Sequence, residues 1–108
     1  MEIIHTNQAP EAIGPYSQAI RVGNVLYSSG QIAINPATGT VEATDIVGQS
    51  KQVMKNLGEV LKEAGSSFEN AVKTTCFLAD MGDFAKFNEV YAKYFVNKPA
   101  RSCVAVKT

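Results

Sequence analysis

The chain has 108 residues, of which 45% are hydrophobic and 19% are charged. These values are typical of one globular domain, spanning residues 1–108, and exclude a disordered chain. Ten basic side chains balance ten acidic ones, which argues against a nucleic acid or an anionic membrane as a partner. No apolar run approaches the roughly 20 residues of a spanning helix, and the first residues show no signal-peptide pattern, so we expect a cytoplasmic protein.

The first part of the chain predicts a β-hairpin. Residues 17–22 and 25–30 read as strands on either side of Gly23-Asn24, a dipeptide that tolerates the positive φ of a two-residue turn. A short strand can precede them at 2–6, and the stretch NPATGT at 35–40 predicts a further turn region.

A helical period follows, with Thr44 or Asp45 as the cap and Gly65 as the residue that ends the helix. Its apolar stripe consists of Ile46, Val47, Val53, Met54, Leu57, Val60, Leu61 and Ala64. Gly58 inside this helix is unfavourable by about 1 kcal/mol relative to alanine. We therefore expect the helix backbone to approach the sheet closely there.

The second half of the chain predicts a strand at 71–79, a helix at about 84–95 capped by Asp83, and a last strand from Arg101. The helix carries an aromatic stripe of Phe84, Phe87, Tyr91, Tyr94 and Phe95. Pro99 prevents its continuation. The resulting order, ββαβαβ, predicts an α+β fold in which two helices cover one face of a sheet.

The last strand, in PARSCVAVKT, alternates two sets of side chains. Because Val104 and Val106 are apolar, we assign them, with Ser102, to the helix-covered face, which places Arg101, Cys103, Ala105 and Lys107 on the open face. An open face of mixed small, apolar and charged groups is typical of an oligomer interface that contains a site. A homo-oligomer is therefore predicted.

Two residues suggest recognition of a small anion. The guanidinium of Arg101 is a planar fork that binds a carboxylate through two hydrogen bonds. It could equally be a surface arginine or a member of a structural ion pair. Tyr16 follows the rigid Gly14-Pro15 bend, which can hold its phenol at the mouth of a cleft, although a structural tyrosine is the alternative.

Further candidates interrupt apolar patterns. Ser28, Ser29 and Gly30 break a strand where a ligand could approach the backbone, but no histidine or carboxylate accompanies the serines as in a hydrolase triad. Asn88 flanks the aromatic stripe, either as a tie to the backbone or as a ligand contact. Cys103 is better explained as a small buried hydrophobe than as a nucleophile. Two cysteines and one histidine have no familiar metal-site spacing, so no metal is expected.

Four segments together resemble the RidA/YjgF family of reactive-intermediate deaminases over essentially the whole chain. They are APEAIGPYSQAI, YSSGQIAINPATG, NLGEVLKEAGSSFENAVKTTCFLADMGDFAKFNEVYAKYF and PARSCVAV. The resemblance implies a chorismate-mutase-like α+β fold, assembled as a homotrimer with the sheets inside and three sites between subunits. It also implies 2-iminobutanoate/2-iminopropanoate deaminase activity, which hydrolyses imines and enamines such as 2-aminoacrylate to 2-oxo acids and ammonia, with no cofactor.

Carried onto this chain, the resemblance makes Arg101 the clamp for the substrate carboxylate and a catalytic residue together with Tyr16. The backbone around Gly30 and Cys103 and the side chain of Ser29 would contact the rest of the substrate, and Asn88 would help to shape the pocket. Relatives continue with a segment resembling LPKGxxVEIEAIA, whose strand completes the sheet and whose second glutamate acts on the attacking water. We expect the native chain to continue beyond Thr108 in the same way.

Two alternative functions remain open at this point. One is a binding module that holds 2-oxo acids without turnover and reports them to a partner. The other is the translation inhibition with ribonuclease activity described for members of this family, against which the balanced charge argues.

Overall fold

The computed structural model describes residues 1–107, which form an α+β fold as predicted. The strands are β1 Glu2–Ile4, β2 Ala19–Val22, β3 Val25–Ser28, β4 Ile34–Asn35, β5 Thr40–Val41, β6 Lys73–Leu78 and β7 Ala100–Ala105. The helices are α1 Ile46–Glu63 and α2 Phe84–Tyr94, with 3₁₀ turns at Phe68–Asn70 and Met81–Asp83. No helix within residues 1–107 is long and apolar enough to cross a bilayer.

The strands form three hydrogen-bonded groups. β1, β2 and β3 make an antiparallel sheet in which Val22 pairs with Val25 across the predicted turn, and Gly23 has a φ of 58°. β4 and β5 make a separate hairpin, where the sequence had predicted only a turn. β6 and β7 pair in parallel because α2 carries the chain from the end of one strand back to the start of the other.

α1 has the predicted ends. The Asp45 carboxylate accepts a hydrogen bond from the Gly48 amide at 3.3 Å, and Gly65 follows the helix with a φ of 74°. The expectation for Gly58 was wrong, because its neighbour is not the sheet. A Cβ at this position would lie 3.2 Å from a ring carbon of Phe68, in the turn that follows the helix.

The aromatic stripe of α2 supplies much of one core cluster, formed by Met54, Leu78, Phe87, Val90, Tyr91 and Phe95. Asp83 occupies the N-cap position, but its side chain makes no capping hydrogen bond. Asp80 caps the preceding turn instead, through the amide of Gly82. A second cluster joins α1 to the antiparallel sheet, through Ile4, Ala9, Ala19, Val60 and Ala64.

The predicted faces of β7 are reversed. Arg101 and Cys103 are half-buried and face α2, whereas Ser102 and Val104 are exposed on the open face. A valine is more apolar than an arginine, which is why the sequence favoured the other assignment. The arginine is accepted on the covered face because its guanidinium packs on aromatic rings and is hydrogen-bonded there.

Candidate active site

Arg101 lies near the start of β7 with its guanidinium against α2. Its Nη1 donates a hydrogen bond of 2.6 Å to Oδ1 of Asn88. Its Cζ lies 4.6 Å from the ring centre of Tyr91 and 5.4 Å from that of Phe84. One polar partner and two rings therefore fix the position and the plane of the cation.

The partners of Arg101 come from one stripe of α2. Phe84, Asn88 and Tyr91 follow the i, i+4, i+7 spacing that puts side chains on the same side of a helix. The carboxamide oxygen of Asn88 accepts the hydrogen bond of Arg101 and orients the guanidinium, so Asn88 is not a tie to the backbone. Asn88 also lines a cavity beside the guanidinium, and its contact with a ligand stays a prediction.

A cavity of about 420 Å³ opens beside the guanidinium. We call it the Arg101 cavity, and it is lined by Asn88, Tyr91, Ala92, Phe95, Val96, Lys98, Pro99 and Arg101. A guanidinium has five N–H donors, and Asn88 accepts from one of them. The remaining donors and the second cation, Lys98, make this cavity suitable for a small carboxylate.

Tyr16, Ser29 and Gly30 lie together at a second, smaller cavity of about 160 Å³. We call it the Tyr16 cleft, and it is lined by Pro10, Glu11, Ile13, Tyr16, Gln18, Ser29, Gly30, Gln31, Ile32 and Ile34. The bend at Gly14-Pro15 is tight, since the Tyr16 amide donates to the Gly14 carbonyl at 2.9 Å. Tyr16 is 54% exposed, so its phenol is available to a ligand or to another chain.

The serines show no nucleophile geometry. The Ser29 hydroxyl donates to the Ser17 carbonyl at 2.6 Å, and the Ser28 hydroxyl donates to the Ser29 carbonyl at 2.9 Å. Both hydroxyls therefore bond to backbone oxygens and not to a base that could activate them.

Two buried amides that the sequence analysis did not single out build the Tyr16 cleft. Gln18 binds the backbone of Thr6 at 2.7 Å and of Pro10 at 2.8 Å through its side chain. Asn56 of α1 donates to the carbonyls of Ile32 and Ile34 at 2.9 and 2.8 Å. For Asn56, the signal available in the sequence was its spacing, three residues after Val53 and four before Val60, which puts an amide on the apolar stripe of the helix. Such an amide is hydrogen-bonded when it is buried.

Cys103 packs against the core next to Cys76, its in-register partner on β6. Burial and the neighbouring Cys103 raise the pKa of the Cys76 thiol, while Arg101 opposes the shift. Cys103 does not line either cavity, and its predicted backbone contact with substrate stays a prediction. In the described part of the chain, no three histidine, cysteine, aspartate or glutamate side chains form a metal-binding group.

The predicted site residues thus fall into two places on one chain. Arg101 and Asn88 line one cavity, whereas Tyr16, Ser29 and Gly30 line the other, and the two cavities share no residue. The predicted glutamate beyond Thr108 lies outside the described residues.

Residues 6–108 match the family model described as endoribonuclease L-PSP. The chain belongs to this family. A solved structure of the conserved Rid protein family, from Yersinia pestis, superimposes with a TM-score of 0.96 at 47% identity, over 99% of this chain and 86% of that one. The RidA/YjgF resemblance is thereby confirmed.

Two further relatives of this chain have names that state an activity or a bound molecule. A 2-iminobutanoate/2-iminopropanoate deaminase of mouse is 49% identical over 106 residues, which are 97% of this chain and 78% of the relative. The structure of TdcF from E. coli with bound serine has a TM-score of 0.92 at 40% identity, over 98% of this chain and 86% of that one.

Proposed function

We propose that this protein is a 2-iminobutanoate/2-iminopropanoate deaminase, which adds water to a short 2-imino acid and releases the 2-oxo acid and ammonia. The observation that carries the proposal is the pre-oriented guanidinium of Arg101 at the edge of a cavity that suits a small carboxylate. The mouse deaminase and TdcF with its bound serine support it, because both names refer to amino-acid-derived carboxylates.

The reaction requires little specialised chemistry from the protein. A protonated imine is already electrophilic, so water adds to its carbon to form a carbinolamine, which then loses ammonia as the carbonyl forms. Holding the imine beside a water contributes most of the rate enhancement. Arg101 would bind the carboxylate, while Ser29 and the backbone at Gly30 and Cys103 would contact the rest of the substrate. Tyr16 would close the site and provide a hydroxyl for proton transfer.

The site is proposed to be completed between subunits of a homotrimer. The Arg101 cavity of one subunit would face the Tyr16 cleft of its neighbour, which explains why one chain carries the two groups apart. The open face of the β6–β7 pair supports an interface, since the in-register residues Phe77 and Val104 are 66% and 44% exposed there.

The test is ammonia release from 2-iminobutanoate that a threonine dehydratase generates in the assay. The protein should accelerate this release, and Arg101→Ala should reduce the acceleration at least about 100-fold, because two charge-assisted hydrogen bonds are lost. Lys93→Ala is the matched control, since it removes an exposed cation of α2 that does not line the Arg101 cavity, and it should leave the acceleration unchanged. Full activity in Arg101→Ala would overturn the site assignment.

The same assay distinguishes the alternative functions. A binding module would bind 2-oxobutanoate but leave the rate of ammonia release unchanged. Cleavage of RNA with no effect on the imine would support the ribonuclease interpretation and refute the proposal.

A further inference from the structure

The ring of Tyr91 is the nearest aromatic surface to the proposed carboxylate clamp. Its centre lies 4.6 Å from Cζ of Arg101, within the range at which a guanidinium is attracted to an aromatic face. The ring is only 7% exposed, so water competes little for this contact. The phenol hydroxyl has a hydrogen-bond partner inside the protein.

That partner is Thr74 on β6. The two hydroxyl oxygens lie 2.6 Å apart, and Thr74 is also the in-register neighbour of Arg101 across the parallel strand pair. The threonine therefore lies on the strand that pairs with the arginine's strand. Its hydrogen bond holds the tyrosine ring against this strand pair. A ring held at both its stem and its hydroxyl cannot rotate away from the guanidinium.

We propose that Tyr91 is a positioning residue, which holds the Arg101 guanidinium in its carboxylate-binding plane and is itself held by Thr74. This inference rests on the proposed function of Arg101 as the carboxylate clamp. Tyr91 also lines the Arg101 cavity, but the role proposed for it acts through the guanidinium. Asn88 sets the direction of the Arg101 guanidinium through its hydrogen bond, and the ring of Tyr91 sets the plane of that group.

This role has a kinetic signature. The clamp grips a carboxylate that does not change during the reaction, so the contact is equally strong in the substrate and in the transition state. Loss of such uniform binding raises KM and leaves kcat nearly unchanged. It also affects only ligands that carry the anion.

The experiment compares Tyr91→Leu with Phe87→Leu in the otherwise unchanged chain. Phe87 is the matched control because it is on the same helix, is also 7% exposed and packs on Tyr91 without contacting the guanidinium. We expect Tyr91→Leu to weaken 2-oxobutanoate binding about tenfold and to raise KM by a similar factor. Phe87→Leu should change the affinity for 2-oxobutanoate and the KM less than about twofold. Thermal melting of both variants checks that they lose similar amounts of stability.

A neutral analogue provides the specificity control. The affinity for 2-oxobutanamide, which lacks the carboxylate, should be the same in wild type and Tyr91→Leu. An equal loss for the acid and the amide, or an equal effect of Phe87→Leu, would show general damage to packing and overturn the inference.

The tie to Thr74 is tested by a second pair of variants, which remains decisive if Tyr91→Leu does not fold. Tyr91→Phe and Thr74→Val each remove the same hydrogen bond while keeping the ring, so each should weaken binding about two- to threefold. The double variant should be no weaker than either single variant. Additive losses, or no loss, would refute the tie.

The outcomes also separate this inference from the proposed function. If Arg101→Ala leaves 2-oxobutanoate binding intact, the clamp itself is wrong. If Arg101→Ala abolishes binding while Tyr91→Leu behaves like Phe87→Leu, the clamp stands and the positioning role of Tyr91 is refuted.

Discussion

A site shared between subunits can be restored by mixing two inactive variants. Arg101→Ala removes the proposed carboxylate clamp from the Arg101 cavity, and Gly30→Val places a side chain in the Tyr16 cleft. A Cβ at Gly30 would meet no atom within 4 Å and the φ there is not positive, so we expect the single chain to fold with the valine. Each variant alone should be inactive, since every one of its sites carries the defect.

The expected recovery follows from the separation of the two cavities. A site is intact when the subunit that supplies the arginine carries Gly30→Val and the neighbour that supplies the cleft carries Arg101→Ala. After unfolding and refolding an equal mixture, each condition holds for half of the subunits. About a quarter of the sites should therefore be intact, and this fraction is the same for any closed ring of subunits.

The assay is ammonia release from 2-iminobutanoate by the refolded mixture, compared with each variant refolded alone. Native mass spectrometry of subunits with different tags measures how many assemblies are mixed. Recovery of about a quarter of the wild-type rate supports a shared site. Mixed assemblies that remain as inactive as the single variants would refute it, because the two cavities would then belong to one functional unit within each chain.

Three predictions concern the scaffold of the site. Asn56→Leu should destabilise the fold by about 2–4 kcal/mol, because the carbonyls of Ile32 and Ile34 lose their donor; a loss below about 1 kcal/mol in urea denaturation would contradict this role. Gly65→Ala should lower the free energy of unfolding by about 1 kcal/mol, because alanine is strained at the positive φ of this residue and the new Cβ meets no other atom. Gly30→Ala is the matched control without a positive φ, and it should leave the stability unchanged. Burial and the neighbouring thiol raise the pKa of Cys76, so the unfolded chain loses this proton first as the pH rises. The protonated Cys76 thiol therefore contributes its full stabilisation at pH values below the ordinary thiol pKa. This stabilisation is lost as the pH rises to the pKa of Cys76 in the folded chain. Cys76→Val should therefore flatten the alkaline decline of the melting temperature, and parallel curves for the two proteins would contradict the assignment.

The elements that local rules specify could be predicted from the sequence. α1 has a long apolar stripe, an aspartate at its N-cap and a glycine at its C-terminal end, and both ends were placed within about two residues. The turn at Gly23-Asn24 was equally clear, because its backbone geometry is available to few residues. In each case the deciding interaction lies within a few residues along the chain.

The sequence failed where residues distant in the chain decide the outcome. The face of β7 was assigned by hydrophobicity, but the rings of Phe84 and Tyr91 reverse it by accepting the cation of Arg101. Two local features were also missed. Asp83 occupies the N-cap position of α2 but makes no capping hydrogen bond with its side chain, whereas Asp80 accepts from the Gly82 amide in the turn before it. The hairpin of β4 and β5 was missed because each strand has only two residues, too few to show alternation.

The same distinction explains why candidate site residues can be proposed from the sequence but their arrangement cannot. Arginine, tyrosine and glycine at unusual positions can be noticed one by one in the sequence. Only the folded chain shows that the surroundings of Arg101 contain no residue of the Tyr16 cleft. Its plane, its orientation and its cavity come from α2 and the neighbouring strand β6. The proposed carboxylate site therefore lies in the second half of the chain, whereas Gln18 and Asn56 build the Tyr16 cleft independently. The proposed imine hydrolysis depends mainly on holding the substrate anion next to water. In that reaction, the residues around Arg101 would determine the affinity for the substrate, and those of the Tyr16 cleft would close the site.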